Sequence, residues 1–167
     1  LRLKFTGNRD EVTDYRRELD LSTGMASVCY QQGETVFKRE HFVSAPDEVF
    51  VSRLSGPLEF SISMDRSERF ETTAVSDREL LMTGHLNDGY DQNGMLYVGR
   101  LRVIGGSVKA VGHTLEVQSD GEVLLLFAAA TDYRGIAGRQ LSDPMAATIC
   151  DLDKAEECYN AALRIRK

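Results

Sequence analysis

The pattern of apolar residues changes once along this chain, and that change constrains the fold more than any other feature. As far as residue 131 the chain consists of short alternating segments separated by turn residues, which is typical of β-strands. Asp143-Pro144 then begins a helical pattern that continues to Lys167, with Asp143 as the cap and Pro144 at the first helical position. The sequence therefore predicts an all-β region with a C-terminal helical tail.

Roughly a dozen strands are predicted, and the connections between them are short. Their ranges are 1–5, 15–21, 25–30, 35–43, 49–54, 58–64, 70–75, 79–84, 95–104, 108–111, 114–117 and 123–131. Gln31-Gln32-Gly33-Glu34 and Asp120-Gly121 are typical of hairpin turns. Such spacing favours an antiparallel β-sandwich over βαβ units, which place helices between strands.

Two segments carry predictions about burial. Residues 123–130 are almost continuously apolar, which indicates a central strand buried on both faces. The helical tail has one apolar stripe, which we expect to pack on the sandwich. The stripe comprises Met145, Thr148, Ile149, Leu152, Ala155 and Tyr159. A second helical stretch is predicted from Tyr159 onward.

Composition excludes several classes of partner. The 167 residues carry a net charge of -6 with a pI near 5.1, which argues against a nucleic-acid-binding or anionic-membrane surface. No apolar run approaches the roughly 18 residues that a membrane-spanning helix needs. The chain has three cysteines, Cys29, Cys150 and Cys158. Such a small and odd number argues against a disulfide framework. We identify no targeting signal in this sequence, and the cellular compartment is left open.

Catalytic and metal-binding patterns are not found in the sequence. His41, His85 and His113 do not stand at metal-ligand spacing, and Cys29 is best interpreted as a buried thiol. Glycoside hydrolysis needs two carboxylates that face each other across a cleft. Acidic residues that are neighbours in the sequence do not indicate such a pair. We therefore predict no catalytic residue, no metal and no cofactor for this chain.

The most polar loop, residues 87–94, supplies the only candidate binding residues. These are Asp88, Tyr90, Asp91 and Asn93, side chains of the kinds that sugar and calcium sites use. The alternating acidic ligands and the closing Glu of a calcium loop are missing. An exposed connection explains the same composition, so both interpretations stay open.

Three stretches, taken in order, resemble a known family. They are residues 15–21 (YRRELDL), residues 39–49 (REHFVSAPDEV) and residues 129–133 (AATDY), with Asp143-Pro144 following. Together they resemble the N-terminal β-domain of the bacterial inverting 1,2-α-L-fucosidases, glycoside hydrolase family ninety-five. The resemblance covers essentially the whole chain.

The resemblance implies a supersandwich-like β-domain, a helical linker and an (α/α)6 barrel that carries the catalytic groups. Residues 1–142 would then be part of the β-domain, and residues 143–167 would begin the linker. The expected partners are the parent protein's own barrel and its carbohydrate substrate. Family members have further strands before the position of Leu1, so we also expect open sheet edges that allow self-association.

The leading hypothesis is a non-catalytic domain of a hydrolase that cleaves α-L-fucosyl linkages with inversion, with this chain inactive by itself. One alternative is a stand-alone carbohydrate-binding module. The chain has no Trp, and most Tyr and Phe residues fall in strand patterns typical of a core, which disfavours a sugar platform. Another alternative is a β-sandwich for protein contacts. The glycan, the linkage and the oligomeric state are left open.

Overall fold

The structure is a computed structural model that describes residues 1–6, 11–90, 92–133 and 143–165, with side chains described as far as residue 162. Within these ranges there are twelve strands and one helix. The elements are β1 (Arg2–Phe5), β2 (Val12–Asp20), β3 (Met25–Gln32), β4 (Thr35–Ser44), β5 (Val49–Ser55), β6 (Leu58–Ser63), β7 (Phe70–Ser76), β8 (Glu79–Asn87), β9 (Asn93–Ile104), β10 (Ser107–Val111), β11 (Thr114–Ser119), β12 (Glu122–Thr131) and α1 (Pro144–Ile165).

The strands form two antiparallel sheets, as the short connections predict. The large sheet has eight strands in the order β2-β3-β4-β5-β12-β9-β8-β7, and the small sheet has four in the order β1-β6-β11-β10. The predicted hairpin at Gln31-Gln32-Gly33-Glu34 is confirmed, because β3 pairs with β4. The hairpin predicted at Asp120-Gly121 is wrong, because β11 lies in the small sheet and β12 in the large one, so this turn connects the two sheets. The all-β sandwich with a C-terminal helix is confirmed.

Two apolar clusters hold the layers together. The first lies between the two sheets, and the second lies between the large sheet and α1. The first comprises Leu54, Leu58, Phe60, Ile62, Met64, Leu80, Leu101, Val103, Leu115, Val117, Val123 and Leu125. The second comprises Val49, Val51, Leu124, Leu126, Ala128, Leu152 and Ala155.

Strand β12 contributes to both clusters because its side chains alternate between the two faces of the sheet. Val123 and Leu125 point toward the small sheet, whereas Leu124 and Leu126 point toward the helix. All four side chains are at most 4% exposed. The prediction that this apolar segment is a central strand buried on both faces is confirmed.

Helix α1 begins as predicted and differs from the prediction further along. The Asp143 carboxylate accepts a hydrogen bond from the Met145 amide at 2.8 Å, which caps the first turn. The second helical stretch predicted from Tyr159 is wrong, because one helix runs continuously from Pro144 to Ile165. After Pro144 at the first position, no Gly or Pro follows within the helix to interrupt it. No helix among the described residues is long and apolar enough to cross a bilayer.

The predicted stripe of α1 is confirmed at Leu152, Ala155 and Tyr159, which pack in the second cluster. The prediction is wrong for Ile149, which is 40% exposed. Thr148 is completely buried against the sheet. Ile149 lies about 100° further around the helix, so its side chain points away from the packed face. Asp151, 3% exposed, lies on the buried side instead.

Truncating the central strand should test how much the two clusters depend on it. We expect Leu125→Ala to lower the free energy of unfolding by about 3 kcal/mol, because it removes a fully buried side chain and leaves a cavity. The matched control Val36→Ala, at a position 57% exposed, should change it by less than about 0.5 kcal/mol. Guanidinium unfolding curves measure both. Equal effects would contradict this description of the core.

Candidate functional site

Polar loops gather at one end of the sandwich, which we call the loop end. It comprises the connection of residues 65–69, the described residues of the β8–β9 loop, and Asp132 and Tyr133, which follow β12. Tyr97 Oη donates a hydrogen bond to the Arg69 carbonyl at 3.0 Å, and Arg69 Nη1 donates to the Gln92 carbonyl at 2.6 Å. The Leu96 amide donates to Asp132 Oδ1 at 3.0 Å. These bonds hold the three segments in one surface.

A glycine makes the first of these contacts possible. Gly84 pairs with Tyr97 across β8 and β9. A Cβ atom at residue 84 would clash with both the Arg69 carbonyl and the Tyr97 hydroxyl. Glycine is therefore needed where β8 passes under this hydrogen bond.

The β8–β9 loop folds around the Asp88 carboxylate. Asp88 Oδ1 accepts hydrogen bonds from the Tyr90 amide at 2.8 Å and the Gln92 amide at 3.0 Å. These hydrogen bonds lower the pKa of Asp88 below its ordinary value, with the larger contribution from the Tyr90 amide and the next from the Gln92 amide. Asp88 thus stabilises the loop as well as being exposed at its surface.

The other predicted binding residues of this loop have different surroundings. Tyr90 is 85% exposed, whereas Asn93 begins β9 and pairs with Asn87 across the hairpin. Asp91 lies outside the described residues. The structure therefore places Asp88, Tyr90 and Asn93 in one loop, and their contact with a ligand stays a prediction.

A cleft of about 620 Å³ opens at the loop end, where Asp65, Arg66 and Tyr133 line it. Its walls are apolar and aromatic, and they include Met64, Met82, Tyr97, Phe127, Ala129 and Tyr133. Tyr133 is 61% exposed and presents an accessible ring at the mouth. The expectation that aromatic residues in strand patterns belong to the core is wrong for Tyr15, which is 61% exposed on β2, whereas Tyr90 and Tyr133 lie outside the predicted strands.

Two of the charged side chains that line the cleft have contacts of their own. Asp65 forms an ion pair with Arg2 at 2.8 Å, and the Arg66 guanidinium lies 4.3 Å from the centre of the Tyr97 ring. Such a surface suits binding through apolar and aromatic contacts rather than acid–base chemistry. Sequence reasoning did not single out Arg66, Tyr97 or Tyr133 as binding residues, although Tyr133 falls within the stretch at residues 129–133.

The three histidines lie apart, each in its own setting. His85 Nδ1 is 3.3 Å from the Gly94 carbonyl and His113 Nδ1 is 2.6 Å from the Thr72 carbonyl. His41 stacks on Phe50, and burial, aided by the charge of Arg39, lowers the pKa of its imidazole. In the part of the chain that the structure describes, no three His, Cys, Asp or Glu side chains are grouped to hold a metal ion.

A charged cluster joins α1 to the large sheet. Arg102 on β9 forms ion pairs with Glu79 at 2.9 Å, Asp153 at 2.7 Å and Glu156 at 2.9 Å. Arg100 pairs with the other oxygen of Glu79. Burial disfavours the charged form of Arg102, but its hydrogen bonds to Asp153, Glu79 and Glu156 outweigh burial and raise the pKa of the guanidinium. We call this group the Arg102 cluster.

A second polar contact holds the other side of α1. Tyr159 Oη donates a hydrogen bond to Glu122 Oε1 at 2.9 Å, and Arg53 Nε pairs with Glu122 Oε2 at 2.5 Å. The helix is thus held on both flanks by polar contacts and beneath by the second apolar cluster. The path of the polypeptide through α1 is fixed relative to the large sheet.

The sandwich matches the N-terminal β-domain of a class of glycosyl hydrolases. The model of the N-terminal domain of glycosyl hydrolase family 65 matches residues 1–136, and the chain belongs to this family. A solved structure, a putative kojibiose phosphorylase from the human microbiome, has the same fold. Its TM-score is 0.61 at 12% identity, over 93% of this chain and 25% of that chain.

Curated relatives include two fucosidases. Alpha-L-fucosidase 2 of Arabidopsis thaliana is 30% identical over 195 aligned residues, which cover 100% of this chain and 22% of that protein. Probable alpha-fucosidase A of Aspergillus niger is 30% identical over 143 residues, which cover 79% of this chain and 18% of that protein. The chain therefore spans about a fifth of the length of these relatives.

Removing the central cation of the Arg102 cluster should loosen the helix. We expect Arg102→Gln to lower the free energy of unfolding by about 2 kcal/mol, less than for a fully buried pair because Asp153 is half exposed. It should also speed amide exchange along α1. Arg16→Gln, which breaks the exposed pair with Glu18, is the matched control and should have little effect. Urea unfolding and hydrogen exchange measure both, and similar results for the two variants would contradict the anchoring role.

The Asp88 loop should respond to pH in a defined direction. Because folding lowers the pKa of Asp88, its contribution to loop stability is present above the ordinary Asp pKa and is lost as pH falls through the lowered value. We expect the NMR amide shifts of Tyr90 and Gln92 to titrate with a midpoint below about 3.9. Asp88→Ala should abolish that titration, whereas a midpoint above the ordinary value would contradict the role of these hydrogen bonds.

Proposed function

We propose that this chain is the non-catalytic N-terminal β-domain of a longer α-L-fucosidase-type hydrolase of glycoside hydrolase family ninety-five. The observation that carries the proposal is the similarity to the Arabidopsis alpha-L-fucosidase 2, which extends over the whole chain and only 22% of the relative. The family match establishes an N-terminal domain of a glycosyl hydrolase, and the fucosidase relatives support the finer assignment.

In this proposal the parent protein hydrolyses α-L-fucosyl linkages in oligosaccharides with inversion. That reaction needs a general acid and a general base about 6.5–9.5 Å apart, with a water molecule between the base and the sugar. We assign those groups to an (α/α)6 barrel outside residues 1–167. A bacterial source stays a prediction, since these two relatives come from a plant and a fungus.

The anchored helix supports the proposed division of the chain. Residues 1–142 would form the sandwich domain, and residues 143–167 would begin the linker to the barrel. The Arg102 cluster and the Tyr159–Glu122 hydrogen bond fix α1 on the sheet, so the linker would leave the domain at a defined position. The loop end, with Asp88, Tyr90, Asp91 and Asn93, is the surface we propose to lie nearest the substrate.

Fucose release should occur only in the longer polypeptide. We expect that polypeptide to release fucose from oligosaccharides with a terminal 1,2-linked α-L-fucose, and residues 1–167 alone to release none. NMR of the first product formed should show the β-anomer, because inversion reverses the anomeric configuration. Fucose release by residues 1–167 would overturn the non-catalytic role. Phosphate-dependent cleavage of kojibiose by the longer polypeptide, without fucose release, would overturn the fucosidase assignment.

A carbohydrate-binding module is the second candidate function, and the exposed Tyr133 ring at the mouth of the cleft favours it. Calorimetric titration of residues 1–167 with the same oligosaccharides separates the two candidates. Saturable binding that Tyr133→Ala abolishes would support the module. Tyr15→Ala, at an equally exposed ring on β2, is the matched control.

A further inference from the structure

One tyrosine of the loop end is almost fully exposed to solvent. Tyr90 is 85% exposed, and no described residue stacks on its ring or forms a hydrogen bond with its hydroxyl. A tyrosine ring is apolar on its faces and polar at its hydroxyl, which is why tyrosine is enriched at binding surfaces. A single exposed ring is nevertheless common on a protein surface. What distinguishes Tyr90 is the backbone that carries it.

The loop around Tyr90 is ordered by hydrogen bonds. The amides of Tyr90 and Gln92 both donate to Asp88 Oδ1, at 2.8 and 3.0 Å. The Gln92 carbonyl accepts a hydrogen bond from Arg69 Nη1 at 2.6 Å, so the loop is also tied to the connection of residues 65–69. Gly89 has a φ of +88°, which glycine adopts without strain, and it turns the chain just before Tyr90. A ligand that contacts Tyr90 therefore does not have to order the loop first.

The other described candidates of this loop help to build it. Asp88 accepts hydrogen bonds from the backbone amides, and Asn93 begins β9, where it pairs with Asn87 at the base of the hairpin. Tyr90 lies midway between Asn87 and Asn93 along the chain, at the tip of the loop. It is thus the candidate best placed to contact a molecule outside the domain.

The chemistry of this tip favours a neutral sugar. A pyranose has a face of C–H bonds and a rim of hydroxyl groups, and a tyrosine offers an apolar ring to the first and a hydroxyl to the second. The charged side chains beside Tyr90, which are Asp88 and Arg69, both hold the loop backbone through hydrogen bonds. The tip therefore offers stacking rather than the charge that an anionic sugar would require.

The proposed function determines which sugar the ring can reach. In inverting hydrolysis the general acid and the general base lie on either side of the bond that is cleaved. Both groups are assigned to the barrel, so barrel residues enclose the fucose. A side chain of the β-domain is then left to contact the part of the oligosaccharide on the other side of that bond.

We propose that Tyr90 stacks on the neutral sugar to which the fucose is attached, and that it thereby favours oligosaccharides over simple fucosides as substrates. The proposal rests on the proposed function, since it requires the loop end to lie beside the substrate. Tyr90 is in this view a specificity residue, because it contacts the leaving group and none of the reacting atoms.

The test compares two substrates of the longer polypeptide, α-L-fucosyl-1,2-galactose and methyl α-L-fucoside, which lacks the second sugar. We expect Tyr90→Ala to raise KM for the disaccharide about fivefold, the effect of losing one aromatic contact, and to leave kcat unchanged. The change should be confined to the disaccharide. Tyr90→Gln also removes the ring and should give the same result, so it serves if Tyr90→Ala fails to fold. Tyr90→Phe keeps the ring and should retain most of the preference for the disaccharide.

Tyr15→Ala is the matched control for loss of an exposed ring. Tyr15 is 61% exposed on β2, and five strands of the large sheet lie between β2 and β8. This variant should leave KM unchanged for both substrates. Equal changes for the two substrates in Tyr90→Ala, or no change for the disaccharide, would overturn the proposal.

A second measurement needs no turnover. In saturation-transfer NMR of the longer polypeptide with galactose, we expect transfer to the C–H protons of the sugar, and Tyr90→Ala should lower it. Transfer that is absent, or that Tyr90→Ala leaves unchanged, would overturn the proposal even if fucose is released. A longer polypeptide that releases no fucose, but in which Tyr90→Ala lowers the transfer, would overturn the proposed function alone.

Discussion

Burial of β12 on both of its faces is the constraint on which the rest of the structure depends. A strand that is apolar at every position from residue 123 to residue 130 cannot leave either side in water without exposing a row of apolar side chains. Leu125 therefore requires the small sheet on one side, and Leu124 and Leu126 require α1 on the other. The three-layer arrangement at the centre of the domain follows from this single segment.

The two sides of β12 are covered in different ways. The small sheet contributes an entirely apolar cluster, whereas α1 combines an apolar stripe with the charged side chains of the Arg102 cluster. Apolar contacts are non-directional, but the ion pairs of Arg102 with the two helix carboxylates, Asp153 and Glu156, require a particular rotation and height of the helix. The polar contacts thus determine where α1 lies, and the apolar contacts supply most of its stabilisation.

Much of the secondary structure could be predicted from the sequence, because strand alternation, hairpin turns and the Asp143-Pro144 cap are local signals. Strand order could not, since β12 lies between β5 and β9 through contacts distant along the chain. The Arg102 cluster could not be predicted from local sequence patterns either, because Arg102 is 51 residues from Asp153 and 54 from Glu156 along the chain. At the loop end the polar loop was identified, but the cleft depends on residues distant along the chain, such as Arg66, Tyr97 and Tyr133, which only the fold brings together.

The mixed anchoring of α1 has a consequence for its response to temperature. Hydrophobic contacts such as those of Leu152 weaken on cooling. The desolvation penalty of ion pairs such as those of Arg102 falls on heating, so their relative contribution grows. Both kinds of contact therefore weaken together as the temperature falls, so cooling loosens the junction between sheet and helix from its apolar and its charged side at once.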